Sequence, residues 1–124
     1  MAVLDTDILI EFLKGDSEVN DLLVRVSKSE PLYTTYLNCY ELLRGALSED
    51  QSKEAEELLS NLVILNLDTS VVKFASKKYL ELSKEGKRPP EFDHLIACIC
   101  VVNDQRLLTK NVKDYCNYNE LELI

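Results

Sequence analysis

Short apolar runs alternate along this chain with longer segments whose apolar residues recur every three or four positions. The runs cover residues 2–5, 32–35, 62–67 and 106–109, and a further run closes the chain at residues 121–124. Runs of this length are typical of strands, and the longer segments are typical of amphipathic helices. Strands that alternate with helices build a parallel sheet covered on both faces, so the sequence predicts the α/β class.

The length and composition of the chain fit one domain. The chain has 124 residues, of which 46% are hydrophobic, and this is enough for one core. The stretch richest in glycine and proline, residues 84–91 (KEGKRPPE), is too short for a domain linker and is interpreted as a loop. We therefore expect a single domain over residues 1–124.

The longest apolar run covers residues 95–102 (LIACICVV) and is too short to span a membrane. Its periodicity does not distinguish a buried strand from a buried helix. The first residues lack the basic and apolar segments of a signal peptide. We expect a cytoplasmic protein without a membrane partner, in which the four cysteines are reduced and mostly buried thiols. The cysteine spacing and the single histidine, His94, argue against a zinc site.

Asp5 ends the first predicted strand, and Asp7 lies two residues later. In parallel sheets, functional groups gather at the carboxyl ends of the strands. A carboxylate next to a buried strand needs partners that offset its desolvation, and bound cations are such partners. Asp5 is therefore a candidate metal ligand, whereas Asp7 is more simply explained as the cap of the first helix.

Three further groups of polar residues have both a functional and a structural interpretation. Glu41 lies beside the apolar face of a predicted helix, where it is also placed to pair with Arg44. Asp93 precedes the 95–102 run, where it is also placed to cap a helix. The third group follows the last internal strand, in a segment where such side chains often cap turns, and comprises Thr109, Asn111 and Asp114. Local pattern alone does not separate the two interpretations.

Four motifs taken together resemble those of PIN-domain toxins of the VapC family. They are residues 3–10 (VLDTDILI), 41–46 (ELLRGA), 93–97 (DHLIA) and 108–115 (LTKNVKDY), in the order and at the spacing of that family. Each motif is short, but together they extend over nearly the whole chain. The resemblance implies a three-layer α/β/α sandwich with a central, mainly parallel sheet, in which residues 95–102 form a buried helix.

The resemblance also implies which residues bind metal. Asp5, Glu41 and Asp93 match the three acids that bind Mg2+ or Mn2+ in the family, and we expect them to be catalytic. Asn111 and Asp114 are expected to complete the metal site. The residues expected to support it are Thr6, Asp7 and Thr109. Asn111 stands where many relatives carry an aspartate, and its neutral oxygen would hold a second cation less strongly. Either one or two cations are therefore expected.

The implied activity is hydrolysis of RNA by the toxin of a toxin-antitoxin pair. The implied partners are a cognate antitoxin, which docks near the acids, and a second copy of the chain in a homodimer. The net charge of -8 is unusual for a protein that binds nucleic acid, but cations bound to the acids would neutralise them locally and attract phosphate. The candidates for contacts to the RNA backbone are Arg44, Lys84, Lys87, Arg88 and Lys110.

Two other functions fit parts of the sequence. The triplet Asp5-Thr6-Asp7 resembles the nucleophile signature of haloacid-dehalogenase-type phosphatases, but Leu9 stands where that family expects threonine or valine. The second alternative is a non-catalytic binding module, such as a degenerate PIN domain, because Asn111 weakens the set of acids. Metal-dependent RNA cleavage separates the enzyme from the binding module.

Overall fold

The computed structural model describes residues 2–123 and contains one parallel sheet. Its strands are β1 (Ala2–Leu4), β2 (Leu32–Thr35), β3 (Val63–Leu65) and β4 (Arg106–Leu108). They lie in the order β3-β2-β1-β4, and every neighbouring pair is parallel. The chain steps from β1 outward to β3 and then returns to place β4 on the other side of β1. The strand order therefore reverses between β1 and β4, and open α/β sheets form binding crevices at such a point.

Helices connect the strands and cover the sheet. Within residues 2–123 they are α1 (Thr6–Leu13), α2 (Ser17–Ser27), α3 (Tyr36–Arg44), α4 (Glu49–Ser60), α5 (Thr69–Lys84) and α6 (Glu91–Val102), followed by a short 3-10 helix (Val112–Tyr115). Five of them begin at a residue whose side chain accepts a hydrogen bond from a backbone N–H in the first turn. These capping residues are Asp5, Asp16, Thr35, Ser48 and Asp68.

Two cores lie on opposite faces of the sheet. Val3 and Leu107 pack with residues of α5 and α6, whereas their neighbours Leu4 and Leu108 pack with residues of α1, α2, α3 and α4. Successive side chains of a strand point to opposite faces, so one apolar dipeptide in each strand contributes to both cores. This is the three-layer α/β/α sandwich that was expected.

Most of the predicted elements are confirmed. The 95–102 run, which the sequence left open between strand and helix, lies in α6. Six residues of α6 are buried. The predicted strands at 62–67 and 106–109 are shorter, at Val63–Leu65 and Arg106–Leu108. The predicted terminal strand at residues 121–124 is wrong for the part that the structure describes. Up to residue 123 this segment forms one parallel bridge, between Leu123 and Leu107. The chain turns just before this bridge, as the Leu121 N–H donates to the Tyr118 carbonyl, and Ile124 lies outside the described residues.

The cysteines are free, and Cys39, Cys98 and Cys100 are buried while Cys116 is exposed. Burial raises the pKa of the Cys98 thiol to about 12, so this thiol stays protonated at neutral pH. None of the helices within residues 2–123 is long and apolar enough to cross a membrane.

Candidate functional site

Asp5 is the first residue after β1 and lies at the carboxyl end of the sheet. Its backbone N–H donates to the Leu108 carbonyl at 3.0 Å, which continues the β1–β4 ladder by one step. The side chain caps α1 by accepting the Thr6 backbone N–H at 2.9 Å. Asp5 is only 5% exposed, so the strand places a carboxylate inside the molecule, where its charge needs compensation.

Four donors surround this carboxylate, and three of them come from distant parts of the chain. Oδ1 accepts from the Thr6 N–H and, at 3.1 Å, from Nδ2 of Asn38. Oδ2 accepts from the hydroxyl of Thr109 at 2.7 Å and from the hydroxyl of Tyr115 at 3.0 Å. A carboxylate has about four lone-pair positions. Neutral protein donors therefore occupy the full accepting capacity of Asp5.

Glu41 is linked to Asp5 through Thr6 and Asn38. The Thr6 hydroxyl donates to Glu41 Oε1 at 2.8 Å and accepts from Asn38 Nδ2 at 2.9 Å. Asn38 and Glu41 are three residues apart on α3 and share one helix face. Arg44, the predicted surface partner of Glu41, instead lies with its guanidinium 5.3 Å from the ring centroid of Tyr40.

Asp93 lies in the first turn of α6, whose capping residue is Pro90, so Asp93 is not the helix cap. The pKa of its carboxyl is raised from 3.8 to about 6, first by burial and then by the negative charges of Asp114, Asp5 and Glu41, in that order of effect. The Tyr115 hydroxyl acts in the opposite direction by hydrogen bonding. Asp5 after β1, Glu41 of α3 and Asp114 of the 3-10 helix are therefore close enough to Asp93 of α6 to repel its charge.

Asp7 contacts the segment after β4. The prediction that it caps α1 is wrong, because Asp5 is the capping residue and Asp7 Oδ2 accepts the Lys110 backbone N–H at 2.9 Å. The other oxygen, Oδ1, is buried and has no hydrogen-bond partner within the described part of the chain. Burial is the main cause that raises the pKa of this carboxyl, and the charge of Asp5 adds to it.

The predicted residues after β4 form a turn beside the acids. Thr109 is buried, and its hydroxyl accepts the Asn111 backbone N–H at 3.0 Å while it donates to Asp5. Asn111 and Asp114 are both exposed. Asp114 is close enough to raise the pKa of Asp93 through its charge, whereas the contact of Asn111 to Thr109 is made by its backbone.

The predicted basic residues are distributed over two regions. Lys110 directly follows Thr109, and its Nζ lies 3.9 Å from Glu11 Oε2. Arg44 ends α3, the helix that carries Glu41. Lys84 and Lys87 line a separate polar cavity of about 480 Å³ with residues of the C-terminal segment, and Arg88 is exposed in the loop before α6. Arg44 and Lys110 are therefore the two that lie on segments carrying site residues.

Sequence reasoning missed two members of the site, Asn38 and Tyr115. Both are buried, and both donate to Asp5. The signal for Asn38 was present, because an amide three residues before Glu41 lies on the same helix face. Tyr115 lies beside Asp114 in a quoted motif, but an aromatic residue there is equally typical of the core.

The chemistry of the donor set fits a hard divalent cation, because carboxylate oxygens are its preferred ligands. In the structure, however, these side chains do not converge on a single cation position. Within residues 2–123, no three carboxylate, imidazole or thiolate groups lie close enough together to hold a metal ion. Asp5 and Glu41 are instead occupied by protein hydrogen-bond donors. A cation would have to displace part of this network.

Comparison with known proteins identifies the family. Residues 2–119 match the PIN domain family. The chain therefore belongs to the PIN-domain family. Within it, the chain is similar to ribonuclease VapC3 of Methanocaldococcus jannaschii, with 33% identity over 98 residues that cover 79% of this chain and 96% of that relative. The resemblance found in the four motifs is confirmed, and the phosphatase alternative is set aside.

Solved structures agree on the fold. VapBC2 from Rickettsia felis, bound to a DNA fragment from its promoter, has a chain that superimposes with a TM-score of 0.90 at 21% identity, over 99% of this chain and 96% of that chain. VapBC-5 of Mycobacterium tuberculosis, from the VapBC family of toxin-antitoxin systems, gives a TM-score of 0.69 at 21% identity, over 99% and 97%. At this identity the similarity shows the fold alone.

Proposed function

We propose that this protein is a metal-dependent endoribonuclease and the toxin component of a VapBC-type pair, acting in the cytoplasm. The observation that carries the proposal is the gathering of Asp5, Glu41 and Asp114 around Asp93 at the carboxyl end of the sheet, where their negative charges contribute to the raised pKa of Asp93. Such a cluster lowers the stability of the fold unless bound cations compensate its negative charge. A local loss of stability of this kind is typical of a functional site. The ribonuclease relatives support RNA as the substrate.

In this proposal Asp5, Glu41 and Asp93 hold one or two Mg2+ or Mn2+ ions, with Asn111 and Asp114 completing the site. A bound divalent cation supplies the positive charge that orients the scissile phosphate and lowers the pKa of an attacking water. Thr6 fixes Glu41 by donating to Oε1. Asp7 and Thr109 fix the turn after β4, because the Lys110 N–H donates to Asp7 and the Asn111 N–H donates to Thr109.

The RNA backbone would be held by basic side chains around the acids. Lys110 and Arg44 are the first candidates, since they lie on the segments that carry Thr109 and Glu41. Lys84, Lys87 and Arg88 would contact a more distant part of the substrate. Each such contact neutralises one phosphate and adds to the salt dependence of binding.

Two protein partners belong to the proposal. The cognate antitoxin would dock near the acids, where Ile10, Leu42 and Ala46 line a cavity of about 250 Å³ beside Glu41, and a basic residue of it would pair with the acids. A homodimer is supported by Tyr36 and Tyr40 of α3, which are 56% and 54% exposed. Exposed aromatic residues of this kind are typical of protein interfaces.

The test is cleavage of an unstructured RNA, monitored by the release of a fluorophore, in separate reactions with Mn2+, with Mg2+ and with EDTA. We expect cleavage with either cation and none with EDTA. Asp5→Asn and Asp93→Asn should each lower the rate about a hundredfold or more, because even groups outside the first ligand sphere contribute about 10- to 100-fold. Asp50→Asn is the matched control, since Asp50 is exposed on α4, which carries none of the proposed ligands.

The same assay separates the enzyme from a non-catalytic PIN module. If the wild-type protein leaves every RNA class intact with both cations, the ribonuclease proposal is wrong and the binding module is favoured. If Asp5→Asn and Asp93→Asn cleave as fast as Asp50→Asn, the cleavage does not arise at these acids.

A further inference from the structure

Tyr115 lies in the middle of the acid cluster with its hydroxyl directed at Asp5. The residue is 2% exposed, and Oη donates to Asp5 Oδ2 at 3.0 Å. The same hydroxyl lowers the pKa of Asp93 by hydrogen bonding. It therefore lies within reach of two carboxylates that, under the proposed function, share a cation.

The donors of Asp5 differ in how firmly they are held. The Thr6 N–H belongs to the backbone of α1. Asn38 is fixed at both ends, because its Oδ1 accepts the Thr35 hydroxyl at 2.7 Å and its Nδ2 also donates to Thr6. The Thr109 hydroxyl is fixed by the Asn111 N–H. Within residues 2–123 the Tyr115 hydroxyl has no comparable second anchor, and it also acts by hydrogen bonding on a second ligand candidate, Asp93.

The position of this hydroxyl places it in competition with a cation. All four lone-pair positions of Asp5 are occupied by protein donors, so a cation bound to Asp5 takes the place of one of them. A hydrogen bond to a charged group stabilises the carboxylate before the cation arrives, and that stabilisation must be given up on binding. A donor that is displaced therefore weakens the measured affinity for the cation.

We propose that the Tyr115 hydroxyl competes with the divalent cation for Asp5 Oδ2 and thereby sets the cation affinity of the site. The inference rests on the proposed function, because it takes the acid cluster to be the cation site. Tyr115 is in this sense a positioning residue, which acts through Asp5.

The test is the dissociation constant for Mn2+ and for Mg2+, measured by titration calorimetry on the full chain after treatment with EDTA. Tyr115→Phe keeps the buried ring and removes the hydroxyl. We expect it to bind both cations about tenfold more tightly than wild type, the effect of one hydrogen bond to a charged group. A residue with a merely structural role would leave the affinity unchanged or weaken it.

Tyr118→Phe is the matched control. Tyr118 is 3% exposed, close in the chain and also hydrogen bonded, but its hydroxyl contacts His94 Nδ1 instead of an acid. This variant should lose stability and keep the wild-type cation affinity. Equal tightening in both variants would mean that loosening of the fold, and not competition at Asp5, changes the affinity.

A second measurement covers the case in which Tyr115→Phe does not fold. Addition of Mg2+ to wild type should change the near-ultraviolet tyrosine spectrum, and the change should persist in Tyr118→Phe, because the Tyr115 hydroxyl loses its acceptor. A spectrum that does not respond to saturating Mg2+ contradicts the inference.

The two proposals fail in different ways. If wild type binds cations and Tyr115→Phe binds them equally or less tightly, the competition is wrong while the ribonuclease proposal stands. If neither protein binds a divalent cation, the metal-dependent function fails and the competition fails with it. Tighter binding by Tyr115→Phe alone supports both.

Discussion

Asp93 is the single residue whose protonation reports most directly on the acid cluster. Its pKa is raised from 3.8 to about 6, mainly by burial and further by three neighbouring acids. A carboxyl whose pKa is higher in the folded than in the unfolded state binds its proton more tightly when folded. Its contribution to stability is therefore favourable at low pH and is lost as the pH rises through about 6.

The upward direction of this pKa shift predicts how the stability of Asp93→Asn compares with that of wild type in EDTA. At about pH 8 the variant should have the larger free energy of unfolding, by on the order of 1 kcal/mol after allowance for the partial exposure of the side chain. The difference should shrink as the pH falls through about 6 toward 4, because the wild-type carboxyl then becomes neutral as well. Urea denaturation at several pH values measures it, and a difference that does not vary with pH would contradict the assigned cause.

Some residues of the site were predicted from the sequence and others were not. Asp5, Glu41 and Asp93 were predicted from motifs that each lie within a few residues. Asn38 and Tyr115 contact Asp5 across 33 and 110 residues of chain. Such contacts depend on how the sheet is ordered, and neither local propensity nor periodicity contains that information.

Among the elements, α6 depends on an internal cross-link at its first turn. His94 is 2% exposed, with Nε2 2.8 Å from the Ala75 carbonyl of α5 and Nδ1 2.7 Å from the Tyr118 hydroxyl. A carbonyl only accepts, so in the neutral ring Nε2 donates and Nδ1 accepts. His94 thereby joins α5, α6 and the C-terminal segment beside the neighbouring ligand candidate, Asp93.

We predict that His94→Leu lowers the free energy of unfolding by about 2 kcal/mol, because it leaves two buried partners without a hydrogen bond. Tyr118→Phe should cost about 1 kcal/mol, and the double variant should cost less than the sum, since the two groups share one bond. Urea denaturation of all four proteins measures this. Strictly additive losses would show that His94 and Tyr118 do not act together.

The elements also show where periodicity succeeds and fails. Alternation of apolar runs and amphipathic segments predicted the parallel sheet, and residues 32–35 were predicted with the observed bounds. The 95–102 run was undecided because helix α6 is buried on several sides, which removes the polar face that marks a helix. The terminal run has the composition of a strand, but the turn before it leaves room for one bridge up to residue 123.

At the scale of the whole molecule, the order of the strands produces the site. Placing β1 between β2 and β4 brings Asp5, Thr109 and the start of α3 to one edge of the sheet. The acids collected there are part of a net charge of -8. Cations bound at this edge would reverse the local field and let an acidic protein approach RNA.

The location of a bound cation tests most directly whether these acids form the metal centre. Crystals of the protein grown with Mn2+ would show it by anomalous scattering. We predict a peak about 2.1 Å from carboxylate oxygens of Asp5 and of Glu41 or Asp93, with the Tyr115 hydroxyl moved away from Asp5 Oδ2. A peak elsewhere, such as beside Glu81 and Glu85 in the polar cavity, or no peak at saturating Mn2+, would contradict it.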